Sequence, residues 1–495
     1  MSHSMPATPG GTGLILEEAT LFDLSRPGRK GASLPAVSTS FNVSKHLPAD
    51  LLNTDGPNLP ELSEPEVNRH FVRLSTWNYN KDAGFFPLGS CTMKYNPKVN
   101  EWSARLPGFA ASHPYQPLET VQGNLELLYN LEKFLGEVGG MECVTLWPNA
   151  GAHGELTGIQ IMRSYHLAKG NARKSIIIPD SAHGTNPAST ALCGYSVIQV
   201  KSNEKGHLDP EAVAKVMTED VAGIMVTNPS TLGLFETHLP EVAEIVHAKG
   251  GLVYCDGANL NALMGVAKLG HCGADIMHYN LHKTFSTPHG GGGPGAGPVG
   301  VKKHLEPFLP VPRVVKDGDN YTITEDCPQS VGRVRAFFGN FGVLVRAYTY
   351  IRELGADGLK LATQMAVLNS NYILAKLKDD YQPAQKERPL HECILTDKKQ
   401  QEFGVKTLDI AKRLMDYGFH PPTVYFPLIV PGAMMIEPTE TESKEACDQF
   451  ITAMKEIARE CEATPEKVKS APHRTFRRRL DEAKAVKEPK LIWKK

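Results

Sequence analysis

VAGIMVTNPS (221–230), GLVYCDGA (251–258) and DIMHYNLHK (275–283) are the segments that decide the fold. Each is a short apolar run that ends in polar residues, a pattern typical of a buried strand. Three further runs of this kind precede them in the chain. The six predicted strands are 144–147, 175–178, 196–200, 221–227, 252–255 and 275–277.

Turns and helical segments separate these runs in regular alternation. Such alternation predicts crossover units and therefore a parallel sheet in an α/β domain. One amphipathic helix is predicted before the first run, because apolar residues recur there every three or four positions until Gly139 and Gly140 end the pattern. These apolar residues are Val121, Leu125, Leu128, Leu131 and Leu135.

The chain has 495 residues, enough for about two to four domains. Residues 1–70 are rich in proline and glycine, which favours an extended N-terminal arm that packs on a partner subunit, with Leu51 and Leu52 available for docking. Residues 71–330 hold the alternating pattern and are predicted to form a large domain. Residues 331–495 mix helices with a few strands and are predicted to form a smaller C-terminal α/β domain.

Composition excludes several classes of protein. Lysine and arginine number 53 against 54 aspartates and glutamates, so no strong single-sign field would attract nucleic acid or an anionic membrane. Nine scattered cysteines without a C-x-x-C pair support neither a disulfide scaffold nor a structural zinc site, and we expect no metal. Neither a secretory leader nor a membrane span is indicated, so a reducing cytoplasm is the expected compartment.

The glycine-rich stretch 290–300 is a false lead for nucleotide binding. Residues 295–300 satisfy G-x-G-x-x-G, but no predicted strand precedes them and Pro298 stands where a helix would have to open. A P-loop fails as well, because Val301 stands where lysine is required. The simpler interpretation is that residues 290–293 let the backbone pass close to another chain or to a ligand.

Lys283 and Asp256 are the strongest chemical candidates, since both end apolar runs of the predicted sheet. Desolvation makes a lysine amine available for a Schiff base, and a carboxylate at a strand end could pair with the pyridine nitrogen of pyridoxal phosphate. Each residue has an ordinary alternative role. Lys283 could extend its ammonium group to solvent, and Asp256 could form an Asx turn before Gly257.

Other strand ends offer what the same cofactor needs. His183 could lie over a cofactor ring or cap its own turn. Ala150 and Gly151 follow a strand and open a helix, so their N–H groups could bind a phosphate or simply make the turn. Ser230 and Thr231 supply hydroxyl groups at another strand end.

Taken together, long segments of the chain resemble the glycine dehydrogenase (decarboxylating) family, the P-protein of the glycine cleavage system. The resembling segments are LSRPGRKG (24–31), PLGSCTMKYNP (87–97), HPYQP (113–117), NAGAHGE (149–155), SAHGTNPAS (181–189), TNPSTLGLFE (227–236), CDGANLNALMG (255–265), NLHKTFSTPHGGGGPG (280–295) and PPTVYFPLIVPGAMMIEPTETESKE (421–445).

The resemblance implies a fold and a set of site residues. The fold would be the aminotransferase-like fold type I of pyridoxal phosphate enzymes, with Lys283 forming the Schiff base and His282 beside it. Asp256 resembles the partner of the pyridine nitrogen and His183 the ring-stacking histidine. The remaining cofactor-binding positions that the resemblance implies are Ala150, Gly151, Ser230 and Ala258.

The resemblance also implies the reaction and its partners. This chain resembles the second subunit of the split form, which would assemble with P-protein subunit 1, two of each, and decarboxylate glycine. The aminomethyl group would pass to the lipoyl arm of the H-protein through a channel, near which we expect Cys91, Thr92, Met93 and His113. Arg333 and Arg335 could anchor the substrate carboxylate or form ordinary salt bridges.

Two other functions are compatible with parts of this pattern. An aminotransferase or a cysteine desulfurase would use the same cofactor, but a desulfurase needs a reactive cysteine in a mobile loop, and none of the nine cysteines has such a context in the sequence. A catalytically silent subunit would bind other chains without needing Lys283. Borohydride trapping would separate these functions, because a silent subunit would give no pyridoxyl-lysine peptide.

Overall fold

A computed structural model of the chain describes residues 18–36, 42–53, 55–289, 295–475 and 478–492. These residues fall into two compact units, 81–473 and a smaller unit of 1–80 with 474–495. The predicted close backbone approach at 290–293 lies outside the described residues. Within the described residues, no helix is both long and apolar enough to cross a membrane.

Fifteen α-helices occur in the described residues. They are α1 Leu21–Leu24, α2 Glu64–Ser75, α3 Lys98–Ala104, α4 Pro107–Ala110, α5 Gln122–Gly139, α6 Gly151–Ala168, α7 Thr185–Leu192, α8 Pro210–Val216, α9 Leu239–Ala248, α10 Leu281–Thr284, α11 Phe341–Leu377, α12 Thr407–Asp416, α13 Lys444–Ala463, α14 Pro465–Lys469 and α15 Glu482–Lys487.

Thirteen strands are present in the same residues. They are β1 Cys143–Thr145, β2 Ser175–Pro179, β3 Ser196–Val200, β4 Val221–Thr227, β5 Leu252–Gly257, β6 Ile276–Tyr279, β7 Val299–Val301, β8 Arg313–Asp317, β9 Asn320–Thr324, β10 Gln382–Pro383, β11 Cys393–Thr396, β12 Thr423–Val424 and β13 Ala433–Ile436.

The larger unit is built on a seven-stranded sheet with the order β1-β7-β6-β5-β4-β2-β3. Strands β2 to β6 pair in parallel, as the alternating pattern predicts, and all six predicted runs are strands. Strand β7 runs antiparallel to both β1 and β6. The sequence did not indicate β7, because its three residues follow a glycine- and proline-rich stretch and are too few to give a periodic signal.

Helix packing on both faces explains the apolar composition of the strands. Every residue of β4 and β5 is buried, and strands covered on both faces need continuous rather than alternating apolar side chains. The predicted amphipathic helix is α5, and Gly140 ends it with a left-handed φ of 72°. Close contact between α6 and the sheet requires Gly158, since a Cβ there would lie 2.5 Å from Tyr254.

A second sheet, with the order β10-β11-β13-β12, lies in residues 382–436 and has its own apolar core with α12 and α13. The segment that follows Phe86 joins this sheet directly: Leu88 forms a bridge with Ile436, and the Gly89 N–H donates to the Met435 carbonyl oxygen at 3.2 Å. A Cβ on Gly89 would clash with Met435, so glycine is required for this approach.

The smaller unit contains α1, α2 and α15. Helix α2 begins inside the segment that the composition predicts to be extended, and a capping box between Ser63 and Glu66 fixes its start. Glu18 accepts hydrogen bonds from Arg73 in this helix at 2.5 and 2.6 Å. Local capping and the ion pair between Glu18 and Arg73 therefore help to order part of this segment.

Candidate active site

The predicted site residues follow the carboxyl ends of strands in one sheet. Asp256 is the second-last residue of β5, Lys283 lies in α10 just after β6, and His183 follows β2. Gly151 begins α6 after β1, and β1 runs in the same direction as β6 because both are antiparallel to β7. Ligands of open α/β sheets bind at this edge, so the topology brings the candidates to one place.

Asp256 is 2% exposed and lies in a network of hydrogen-bond donors. Its Oδ1 accepts the Ala258 N–H at 2.9 Å and lies 3.4 Å from His278 Nε2. The Tyr254 hydroxyl lies 2.6 Å from His278 Nδ1, and donation to this atom leaves the His278 proton on Nε2, toward Asp256. Burial by itself would raise the pKa of Asp256, but His278, the Ala258 N–H, His183 and Lys283 together lower it. Asp256 is therefore a carboxylate.

Lys283 is 8% exposed and lies within the electrostatic reach of several buried groups. Its positive charge helps to lower the pKa of Asp256 and that of His183. A buried amine that follows the carboxyl end of β6 is suitably placed to form a Schiff base with an aldehyde cofactor. The structure therefore supports the predicted proximity of Lys283, Asp256 and His183.

His183 presents a neutral ring at this edge. Its Nδ1 lies 2.9 Å from the Thr185 hydroxyl and accepts the Thr185 N–H at 3.4 Å. Burial lowers the pKa of His183, and the charge of Lys283 lowers it further, against the opposing effect of Asp256. A neutral, half-buried imidazole has the form needed to cover a planar ring.

The start of α6 has the features of a phosphate cradle. Ala150 is extended and no side chain of the described residues caps the helix, so the first N–H groups of α6 are available to an anion. A Cβ on Gly151 would come within 2.5 Å of Asn280 Oδ1, an atom that is buried and has no hydrogen-bond partner in the described residues. These residues therefore fit a phosphorylated cofactor.

The structure also shows the surroundings of three further predicted site residues. Ala258 contributes its N–H to Asp256, as described above. The Ser230 hydroxyl accepts the Leu232 N–H at 3.3 Å and so takes part in its own turn. His282 has its pKa lowered to about 3, chiefly by burial and then by His289 and Lys283, and its ring meets that of His289 edge-on at 5.2 Å.

The two candidate arginines differ in their surroundings. Arg333 forms an exposed ion pair with Glu325, as the salt-bridge alternative predicts. Arg335 donates to the side chain of Asn149, the residue before the phosphate cradle, and to Asn340 Oδ1 at 2.9 Å. Arg335 is therefore at the edge of the candidate site, whereas Arg333 is engaged elsewhere.

His113 and Cys91, which the sequence left without a role, lie in different surroundings. His113 lines an apolar cavity of about 180 Å³ with Leu125, Phe337 and other side chains. Burial raises the pKa of the Cys91 thiol, and this effect outweighs the opposing effect of the charge of Lys283, which lowers the pKa. A protonated thiol is a poor nucleophile, so Cys91 does not have the character that a desulfurase requires.

Sequence reasoning missed several buried polar residues of this region. They are Lys94, Glu155, His278, His391, Glu392 and Glu437. His278 could have been found, because it lies in the predicted strand-end segment that also contains Lys283. Glu155 could also have been found, because it lies in NAGAHGE (149–155) at the predicted helix start. The remaining four residues have no such local signal and become neighbours only through the tertiary fold.

Glu155 lies next to the Asp256 network, in the first turns of α6. One carboxylate oxygen of Glu155, one of Asp256 and a nitrogen of His278 lie within 4.8 Å of one another. Burial, and then the charge of Asp256, raise the pKa of Glu155 to about 8. Glu155 is therefore protonated at neutral pH, and its Oε2 accepts a hydrogen bond from Asn186 at 2.8 Å.

Comparison with solved structures places this site in a known fold. "Crystal structure of glycine decarboxylase (P-protein) of the glycine cleavage system, in inhibitor-bound form" is similar with a TM-score of 0.71 and 21% identity, over 84% of this chain and 94% of that one. The aspartate aminotransferase of subgroup IV from Thermus thermophilus has a TM-score of 0.54 and 14% identity, over 76% and 99%. These likenesses confirm the aminotransferase-like fold type I of pyridoxal phosphate enzymes.

Sequence comparison gives the family. Residues 39–320 match the family described as "Glycine cleavage system P-protein", and residues 362–478 match "Glycine dehydrogenase, C-terminal domain". "Probable glycine dehydrogenase (decarboxylating) subunit 2" of Alkaliphilus oremlandii is 54% identical over 477 residues, which cover 96% of this chain and 98% of that protein. The chain therefore belongs to the P-protein family of the glycine cleavage system.

Proposed function

We propose that this chain decarboxylates glycine with pyridoxal phosphate held as a Schiff base on Lys283, and transfers the aminomethyl group to the lipoyl arm of the H-protein. One observation carries this proposal: Lys283, Asp256 and His183 lie at the same edge of one sheet, and the charge of Lys283 acts on both other side chains. A buried amine beside a buried carboxylate suits an aldehyde cofactor that contains a pyridine ring.

Each residue would have a separate task in holding the cofactor. Asp256 would pair with the pyridine nitrogen, and the Ala258 N–H and His278 keep its carboxylate ionised and oriented. His183 would cover the ring with a neutral imidazole. The cofactor, when bound, supplies an electron sink for the pair released as the bond to the glycine carboxylate breaks.

The phosphate would lie at the start of α6, where Ala150 and Gly151 offer backbone N–H groups at the positive end of the helix dipole. Ser230 and His282 are proposed as further cofactor contacts. Arg335 is the better placed of the two arginines for an anionic group, because it already donates to Asn149 next to this cradle.

We also propose an assembly. The curated relative is named as a subunit 2, which supports a partner subunit 1, and we propose two copies of each chain. Exposed apolar side chains such as Leu51 in the smaller unit would suit burial against a partner. The balanced charge and scattered free cysteines support a cytoplasmic location without nucleic acid or membrane.

Borohydride reduction tests the cofactor and its site together. The chain would be purified with subunit 1 and pyridoxal phosphate, its visible absorbance recorded with and without glycine, and the reduced protein mapped by peptide mass. We expect a yellow protein whose pyridoxyl label lies on Lys283. Lys283→Ala should lose the label and the release of carbon dioxide from glycine, whereas Lys316→Ala, at an exposed lysine, should retain both.

Other outcomes would favour other functions. A colourless protein, even with subunit 1 present, would contradict the cofactor proposal and favour a silent subunit. A labelled Lys283 with conversion of a keto acid to an amino acid would favour an aminotransferase. Carbon dioxide release from glycine that does not depend on a lipoylated carrier would contradict the transfer step.

A further inference from the structure

A second group of buried titratable side chains lies beside the candidate site, and we call His391, Glu392 and Glu437 the buried acid cluster. Their exposed fractions are 0%, 0% and 1%. One nitrogen of His391 and one oxygen from each glutamate lie within 4.8 Å of one another, and His391 Nε2 is 3.8 Å from Glu437 Oε1. The first two residues precede β11 and the third follows β13, so the second sheet carries all three.

The cluster holds the loop that contains Cys91. Glu392 Oε2 accepts the Ser90 N–H at 2.8 Å, and Glu437 accepts the Thr92 N–H at 3.0 Å and the Thr92 hydroxyl at 2.5 Å. Ser90 and Thr92 have positive φ angles of 64° and 46°, which residues with a Cβ rarely adopt. Hydrogen bonds to the two carboxyl groups therefore stabilise a strained backbone on both sides of Cys91.

A purely structural role would leave few hydrogen-bonding atoms without a partner. Glu392 Oε1 and both ring nitrogens of His391 are buried and have no partner in the described residues. The charge of Lys283 nevertheless acts on Cys91, His391 and Glu392, so the cluster lies within electrostatic reach of the candidate site. Buried polar atoms without a partner in the described residues, within the electrostatic reach of Lys283, indicate a chemical task.

The two carboxyl groups have different hydrogen-bond environments. Glu437 accepts two hydrogen bonds from Thr92, whereas Glu392 accepts one from Ser90. Burial raises the pKa of Glu392 well above its usual range, and the charge of Glu437 raises it further. Two buried carboxylates at this separation cannot both be charged without a large cost, so one proton stays on Glu392.

The proposed reaction consumes one proton. When the bond to the glycine carboxylate breaks, the released electron pair forms a bond from carbon to one sulfur of the carrier's cyclic disulfide. The disulfide bond breaks, its electron pair stays on the second sulfur, and that sulfur must gain a proton to become a thiol. Glycine, disulfide and one proton thus give carbon dioxide, an aminomethyl thioether and a thiol.

We infer that Glu392 is the proton donor to the departing sulfur of the carrier disulfide, and that Glu437 keeps it protonated. Glu392 then regains a proton from solvent before the next turnover. This inference depends on the proposed aminomethyl transfer. It assigns the second sheet a part in the chemistry in addition to its packing.

Infrared spectroscopy of the assembled protein, without glycine, tests the protonated state independently of activity. Because Glu155 is also protonated at neutral pH, the readout is the difference spectrum between wild type and variant. We expect Glu392→Gln to remove one component of the carbonyl-stretch region of protonated carboxyl groups, and Glu387→Gln, at an exposed position, to remove none. Glu392→Asp should retain a component at that position. A difference spectrum in which Glu392→Gln removes no such component would overturn the assignment of the proton to Glu392.

Single-turnover kinetics with glycine and the lipoylated carrier test the donor role. We expect Glu392→Gln to slow thiol formation by about 100-fold, the range of a lost general acid, while glycine binding changes less than about 2-fold. In Glu437→Gln, loss of the neighbouring negative charge should lower the pKa of Glu392, so the decline of the rate at alkaline pH should begin at a lower pH.

The outcomes separate this inference from the proposed function. An active wild type with an equally fast Glu392→Gln, or with a pH profile that Glu437→Gln does not move, would overturn the donor role alone. Slow thiol formation with weakened glycine binding and a lowered melting temperature would also overturn it, in favour of a structural role. A wild-type assembly that transfers no aminomethyl group would overturn both.

Discussion

Lys94 Nζ donates a hydrogen bond of 2.8 Å to the main-chain oxygen of Thr284, the residue after Lys283. The same ammonium group contacts Glu440 at 2.6 Å and Asn261 Oδ1 at 2.8 Å. Lys94 is 2% exposed, so this is a buried ion pair that also fixes the end of α10. A lysine of the loop after Gly89 thus positions the helix turn that carries Lys283.

Lys94→Met should lower the free energy of unfolding by about 3 kcal/mol, because it leaves the charge of Glu440 buried without its partner. Chemical denaturation would measure the change. Lys98→Met is the matched control: its pair with Asp82 is exposed and screened by solvent, so we expect a much smaller loss than for Lys94→Met. Equal effects of the two substitutions would contradict the role of Lys94.

Gly151→Ala should weaken the binding of pyridoxal phosphate by about 10-fold or more, an effect of about 1.4 kcal/mol. The new Cβ would lie 2.5 Å from Asn280 Oδ1 and would force the start of α6 or Asn280 to move. Titration of the apoprotein with cofactor, followed by absorbance, measures the affinity. Gly108→Ala, where a Cβ would meet nothing within 4 Å, should bind the cofactor as the wild type does.

His278→Gln should move the acid side of the activity profile to higher pH. His278 is the strongest of the groups that lower the pKa of Asp256, so its loss raises that pKa, and the required carboxylate is then lost at a higher pH on acidification. The pH dependence of carbon dioxide release gives the result. His271→Gln, at an exposed position, is the control, and an unshifted profile in His278→Gln would exclude the link to Asp256.

Glu155→Gln should make the apoprotein less sensitive to alkaline pH. The folded-state pKa of Glu155 is raised to about 8, so the protonated carboxyl stabilises the fold fully below pH 4.5, and this contribution is lost as pH rises toward about 8. Glutamine has no proton to lose. We therefore expect the variant to be more stable than the wild type at pH 8 by about 1 to 3 kcal/mol, as measured by denaturation at several pH values.

The control for this experiment is Glu241→Gln, at an exposed position of α9. Its stability should follow that of the wild type across the same pH range. A wild type and a Glu155→Gln variant with parallel stability curves between pH 5 and pH 8 would show that Glu155 is already ionised in the folded chain.

Much of the large sheet was predictable because local composition reports burial. Strands such as β4 and β5 are covered on both faces and appear as continuous apolar runs. Parallel strands leave their carboxyl ends at one edge, so Asp256 and Lys283 could be placed near each other from topology alone. Strand β7 could not be predicted, since three residues carry no period.

The buried acid cluster could not have been predicted from the sequence. Ser90 and Glu392 are 302 residues apart, and Thr92 and Glu437 are 345 apart. No spacing rule links residues so distant, because their contact depends on how the segment after Phe86 pairs with the second sheet. Lys94 and Glu440 meet for the same reason.

The sequence by itself determined the six main strands, helix α5, and the position of Lys283, Asp256 and His183 at the edge of the sheet. These features depend on burial and on strand direction, and the local order of apolar and polar residues indicates both. Only the tertiary structure decided the charge states at that edge and in the buried acid cluster. The pKa values of Asp256, Glu155 and Glu392 depend on which distant side chains desolvate them or lie within a few ångströms of them. Desolvation and short-range electrostatics are properties of the packed chain, and no local pattern encodes them.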